Sequence, residues 1–180
     1  MVLDNIKPTR IMPFFGHRSP EEIKNYCANE TLDSLKKLNQ RIGGFLIKQI
    51  NNKDEYLSII NRLEIELGEA QTSLANIENN NIKIEKSNKN TRDSLCGNGA
   101  ERWLMLQTIR QPSSTANVKR KIDEIKQEQL EINSKLAWTQ KEITACIKEF
   151  KIVEQIQQNK LKALQQSNSN YETGVKNHLL

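Results

Sequence analysis

One run of positions constrains the fold more than any other. Ile122, Ile125, Gln129, Ile132, Leu136, Thr139, Ile143, Cys146, Phe150 and Val153 follow one another in unbroken steps of three and four. Steps averaging about 3.5 residues keep one seam of a helix turned toward a neighbouring helix along its whole length, the mark of a coiled coil. A second ladder, Tyr56, Ile60, Leu63, Leu67, Ala70, Leu74 and Ile77, offers the mate, and Leu35, Leu38, Ile42 and Phe45 precede it. The fold class expected is all-α: an elongated coiled coil, drawn as an antiparallel two-helix hairpin with a short connecting helix and an extended N-terminal arm.

Composition supports narrow apolar stripes over a spherical core. Hydrophobic residues are 36% and aromatics 5% of the 180 residues, against roughly 45–50% apolar residues in ordinary globular chains. Charged residues reach 27%, and abundant Asn, Gln, Lys and Glu suit long solvated helices. The net charge of +5 is spread thinly. Residues 21–92 are balanced, and residues 113–166 carry ten basic against seven acidic side chains. Phosphate binding concentrates cations on one face; here the signs are interspersed, so nucleic acid is disfavoured as a partner and protein partners are favoured. The opening residues Met1–Pro8 lack the apolar stretch of a secretory signal, and no run is long enough to span a membrane. Cys27, Cys96 and Cys146 are odd in number and far apart, which argues against a disulfide framework or a zinc site. An intracellular setting is expected, cytoplasmic or associated with a cytoskeletal or other large assembly. Asn29-Glu30-Thr31 matches a glycosylation acceptor, read as a chance match in the absence of an export signal.

Five segments are expected along the chain. Residues 1–19 form an extended docking arm, where Pro8 and Pro13 oppose helix. Ser19-Pro20-Glu21-Glu22 then gives a helix start: a capping hydroxyl, a proline suited to the first position, and two carboxylates at the positive dipole end. Residues 20–92 are expected as a first long helix, irregular near 43–55. There Gly43-Gly44 weakens it and the ladder passes through polar Gln49 and Asn52, an insert that unwinds a supercoil. Asn79-Asn80-Asn81 is expected to fray its distal end. Residues 93–114 form a connector with a short apolar helix around Trp103, Leu104, Met105 and Leu106, preceded by the break Cys96-Gly97-Asn98-Gly99. Residues 115–166 form the second long helix, and 167–180 a polar tail.

Enzyme templates fail. No phosphate-binding glycine loop, nucleophile elbow or paired-histidine zinc motif occurs, and the only histidines are His17 and His178. Carboxylates sit among lysines at helical spacing, as solvated charges do. No enzymatic activity and no cofactor or metal is expected. Gln129 and Thr139 are polar members of an apolar seam, equally readable as register-setting residues or as tolerated ones. Leu130, Ile147 and Ile152 widen the stripe of the second helix, a pattern that calls for more than one neighbour. Phe14, Phe15 and Arg18, with Trp103 and Met105, are the candidate partner-docking residues, since aromatic and arginine anchors dominate protein interfaces. The competing reading has the two phenylalanines fold back and staple the helical pair. The function expected is a non-enzymatic structural protein packing against other subunits of a complex or filament. The alternative is a stalk, chaperone or regulator of a secretion-type ATPase apparatus, and a helical nucleic-acid binder comes third.

Overall fold

The computed structural model describes residues 19–178, and these are helical throughout apart from short connections. Four helices follow in order: α1 (Pro20–Ala28), α2 (Leu32–Asp93), α3 (Gly99–Leu106) and α4 (Ala116–His178). No strand forms among the described residues. The chain divides into two compact units. Among the described residues one draws on 19–55 and 136–178, the other is Tyr56–Lys135, and α2 and α4 contribute to both.

In the first unit α1 begins as its sequence dictates. The Ser19 hydroxyl accepts a hydrogen bond from the Glu22 N–H at 3.2 Å, Pro20 opens the first turn, and Glu21 and Glu22 follow. The expectation of one helix from 20 to 92 is corrected here, because the chain breaks at residues 29–31. The Glu30 N–H turns back onto the Cys27 carbonyl at 3.1 Å. Thr31 then caps α2 through its hydroxyl, which accepts from the Ser34 N–H at 3.1 Å, while the Ser34 hydroxyl donates to Glu30 at 2.6 Å. The break is closed from outside: Lys160 of α4 donates to the carbonyls of Cys27 (3.3 Å), Ala28 (2.9 Å) and Glu30. A cation at a helix C-terminus satisfies carbonyls that lack intrahelical partners and opposes the negative end of the dipole. The core here gathers Ile23 and Cys27 of α1, Leu35, Leu38 and Ile42 of α2, and Cys146 and Val153 of α4, with Phe45 and Phe150 packed against it. Three helices therefore share one core.

The irregularity expected near 43–55 does not interrupt α2, which stays helical through it. The Phe150 ring lies 3.7 Å from where a Gly43 side chain would begin, so aromatic packing covers the bare backbone and offsets the weak propensity. Gln49, at 5% exposure, fills the seam position, and its side-chain oxygen has no hydrogen-bond partner among the described residues. Nor is the polar tail of 167–180 a separate segment as far as it is described, since α4 continues to His178. All side chains from 161 to 178 are exposed there, so no packing within the chain supports this stretch of helix.

In the second unit α2 and α4 pack through Leu63, Ala70, Ile122 and Ile125, with Ile59, Leu67, Leu74 and Val118 at the margin. Two ion pairs cross between them, Arg62 with Glu128 at 3.8 Å and Lys119 with Glu78 at 3.6 Å. As exposed pairs these are worth about 0–1 kcal/mol each and indicate direction more than stability. Residue numbers rise on α2 as they fall on α4, so the two stretches run antiparallel.

Candidate protein-interaction surface

The connector between α2 and α4 exposes more apolar side-chain surface than its length explains. Trp103 and Leu104 are 60% and 61% exposed and Leu106 is 45% exposed, all on the eight-residue α3. Met105, the other connector residue expected to dock, is half-buried. An exposed tryptophan with two leucines on a short helix needs an explanation, because such clusters mark interaction sites.

The explanation must include how this segment is held. Asn98 caps α3 by accepting from the Glu101 N–H at 3.0 Å, and Glu101 reaches back to the Asn98 N–H at 3.3 Å, a reciprocal capping box. Gly97 turns into this cap with φ +90, a conformation in which a side chain would also collide with the Glu101 carboxylate. On the far side of α3 the chain returns without helix, and two asparagines of α2 hold it. The Asn88 amide donates to the Arg110 carbonyl at 2.7 Å and accepts from the Arg110 N–H at 3.0 Å. Asn81 does the same for Ser113, at 2.8 Å in both directions. A carboxamide offers one donor and one acceptor side by side, which matches the N–H and C=O of one extended residue.

Sequence reasoning missed Asn81 and Asn88 as the residues that hold the connector. Residues 79–81 are read there as a fraying asparagine run, yet α2 continues unbroken to Asp93. The signal was spacing. From Leu74 and Ile77 the ladder steps on by four, three and four to Asn81, Ile84 and Asn88, so both amides occupy seam positions. They face a strap of backbone there, not a helix, and polar groups replace apolar ones accordingly.

Of the seam residues expected in the second unit, Leu63, Ile122, Ile125 and Ile132 are buried, and Tyr56, Ile60, Leu67, Leu74, Ile77 and Gln129 are half-buried. In the first unit Cys146 and Val153 are fully buried, Thr139 is 2% exposed, and Leu136, Ile143 and Phe150 are half-buried. Phe14, Phe15 and Arg18 lie outside the described residues. The Cys146 thiol donates to the Ile42 carbonyl at 3.4 Å. Burial pushes the thiols of both Cys27 and Cys146 up to about 11. Cys96, beside the connector, is exposed, and all three cysteines are free.

Among the described residues no cluster of histidine, cysteine or carboxylate side chains is placed to hold a metal ion. Among the described residues no helix is long and apolar enough to cross a membrane. Comparison with protein-family models, with curated proteins and with solved structures gave no match.

Proposed function

We propose that this chain is a non-enzymatic assembly protein, an antiparallel coiled-coil hairpin that packs against other subunits of a larger complex through its connector. The carrying observation is the contrast between exposure and restraint at α3. Trp103, Leu104 and Leu106 stand in solvent, while four side-chain hydrogen bonds from Asn81 and Asn88 and a capping box fix the segment that bears them. A surface anchored before its partner arrives spends less binding energy on ordering. Tryptophan and leucine in that position supply apolar area to be buried on contact. The three free cysteines favour a reducing, intracellular setting for such a complex.

The test compares the full-length chain with the variant Trp103→Ser/Leu104→Ser/Leu106→Ser, each used as bait in the native source. These side chains are exposed, so the triple variant is expected to keep its helix content and unfolding midpoint. Loss of the co-purifying subunits from the variant alone supports the reading. Equal recovery by both baits overturns it.

A further inference from the structure

Of the three helices that share the first core, α1 depends most on its neighbours. It has nine residues, and a helix shorter than about 12–15 residues is marginal in water even with a favourable sequence. Ser19, Pro20 and two carboxylates support its first turn, but its last turn has no basic residue. Ile23 and Cys27 are its buried side chains and Tyr26 is half-buried; the rest are exposed.

What α1 lacks at its end, α4 supplies through one side chain. The Lys160 ammonium donates to the carbonyls of Cys27 (3.3 Å), Ala28 (2.9 Å) and Glu30. These belong to the end of the helix and the turn after it, where carbonyls lack intrahelical partners. An ammonium has three donors, one for each of these carbonyls. Its charge also stands at the negative end of the α1 dipole, which α1 leaves without a cation of its own.

The long helices do not need α1 to stay together. They meet directly in this unit, where the Cys146 thiol donates to the Ile42 carbonyl at 3.4 Å. Leu35, Leu38, Ile42, Cys146 and Val153 join them in the same core. A short helix docked by two buried side chains and one cation, on a pair that continues beneath it, has the contact pattern of a segment that opens at low free energy.

We propose that α1 is a lid on the α2–α4 pair and that Lys160 is its latch. The lid opens alone, with both long helices in place, and the ammonium holds it shut. Opening bares Ile152 and Ile156 of α4, which Ile23 and Lys24 adjoin when the lid is closed, and it brings Cys27 out of the core. This device is independent of the role given to α3.

Amide exchange in the full-length chain tests the lid, and substitution of Lys160 tests the latch. In the unchanged chain the Tyr26 and Cys27 amides are expected to show protection factors about tenfold or more below those of Ile42 and Cys146; equal protection overturns the lid. Lys160→Met keeps an aliphatic stem and removes the charge and its donors. It is expected to speed exchange at Tyr26 and Cys27 by about tenfold or more, the effect of losing hydrogen bonds to a charged group, and to leave Ile42 and Cys146 unchanged. Unchanged exchange in α1, or equal acceleration of all four amides, overturns the proposal. Lys160→Arg keeps a charge and donors and is expected to protect α1 better than Lys160→Met does; equal rates in the two variants overturn the role of the cation. Thiol labelling gives a second readout. With Cys96→Ser as background, Cys27 is expected to react faster in Lys160→Met than with Lys160 intact, and an unchanged rate counts against the latch.

Discussion

Cys27 and Cys146 lie in the same core, fully buried and free. Burial is the main reason their thiols rise from 9.0 to about 11. At Cys27 the Glu30 carboxylate adds to the rise and Lys160 opposes it; at Cys146 Glu149 and Glu142 both add. The folded chain thus holds these two protons more tightly than the unfolded chain does. Below about pH 9 both states are protonated and the thiols contribute no pH dependence. Above it the unfolded thiols ionise first, so stability is expected to fall as pH rises from about 9 toward 11. Denaturant midpoints across that window check the sign, and Cys146→Ala, although weakened by its cavity, is expected to show a shallower fall. The same burial predicts that only exposed Cys96 reacts rapidly with a thiol reagent near neutral pH. Three equally fast cysteines in the native protein contradict the packing around Ile42 and Val153.

At the scale of elements, the asparagine pair on α2 does for the connector what leucines do for the second helix. Each amide makes two hydrogen bonds to one backbone residue, and Asn88 is 8% exposed. Removing a partner from a half-buried backbone group costs about 1–3 kcal/mol, so Asn88→Ala is expected to destabilise by about that much. Hydrogen exchange provides the specific readout: the Arg110 amide is expected to exchange faster in Asn88→Ala, and the Ser113 amide in Asn81→Ala. Acceleration of all amides alike indicates general unfolding instead of a lost clamp. This pair also shows what the sequence made legible. Periodicity is a property of apolar side chains facing a helix, so the all-helical architecture and the stripe from Leu63 to Ile125 could be read from it. A strap of backbone leaves no such stripe, and its amide partners resemble a helix-breaking run. The turn at 29–31 was hidden for a similar reason: its deciding contact comes from Lys160, more than a hundred residues away. Trp103 stands out as a residue, but the clamps that hold its segment join positions 22 and 32 residues apart and leave no local pattern.

The molecule as a whole distributes its burial over two cores. One gathers Ile23, Cys27, Leu35, Leu38, Ile42, Cys146 and Val153; the other gathers Leu63, Ala70, Ile122 and Ile125. No buried hydrophobic residue belongs to both, although α2 and α4 are continuous through the two units. Most helix stability in proteins comes from tertiary packing of an apolar face, and here that packing is divided between the two cores. Each unit is therefore expected to open largely on its own account. Leu35→Ala and Leu63→Ala separate the cases, since both side chains are essentially unexposed (0% and 1%) and each truncation costs about 2–5 kcal/mol. In Leu35→Ala the amides of Ile42 and Cys146 are expected to exchange faster while those of Leu67 and Ile125 hold; in Leu63→Ala the pattern reverses. The asymmetry bears on the proposed role of α3: loosening the first unit is expected to leave the clamped connector, which belongs to the second, in place. Equal acceleration in both units from either substitution makes the chain one cooperative body, and damage to either core then reaches α3.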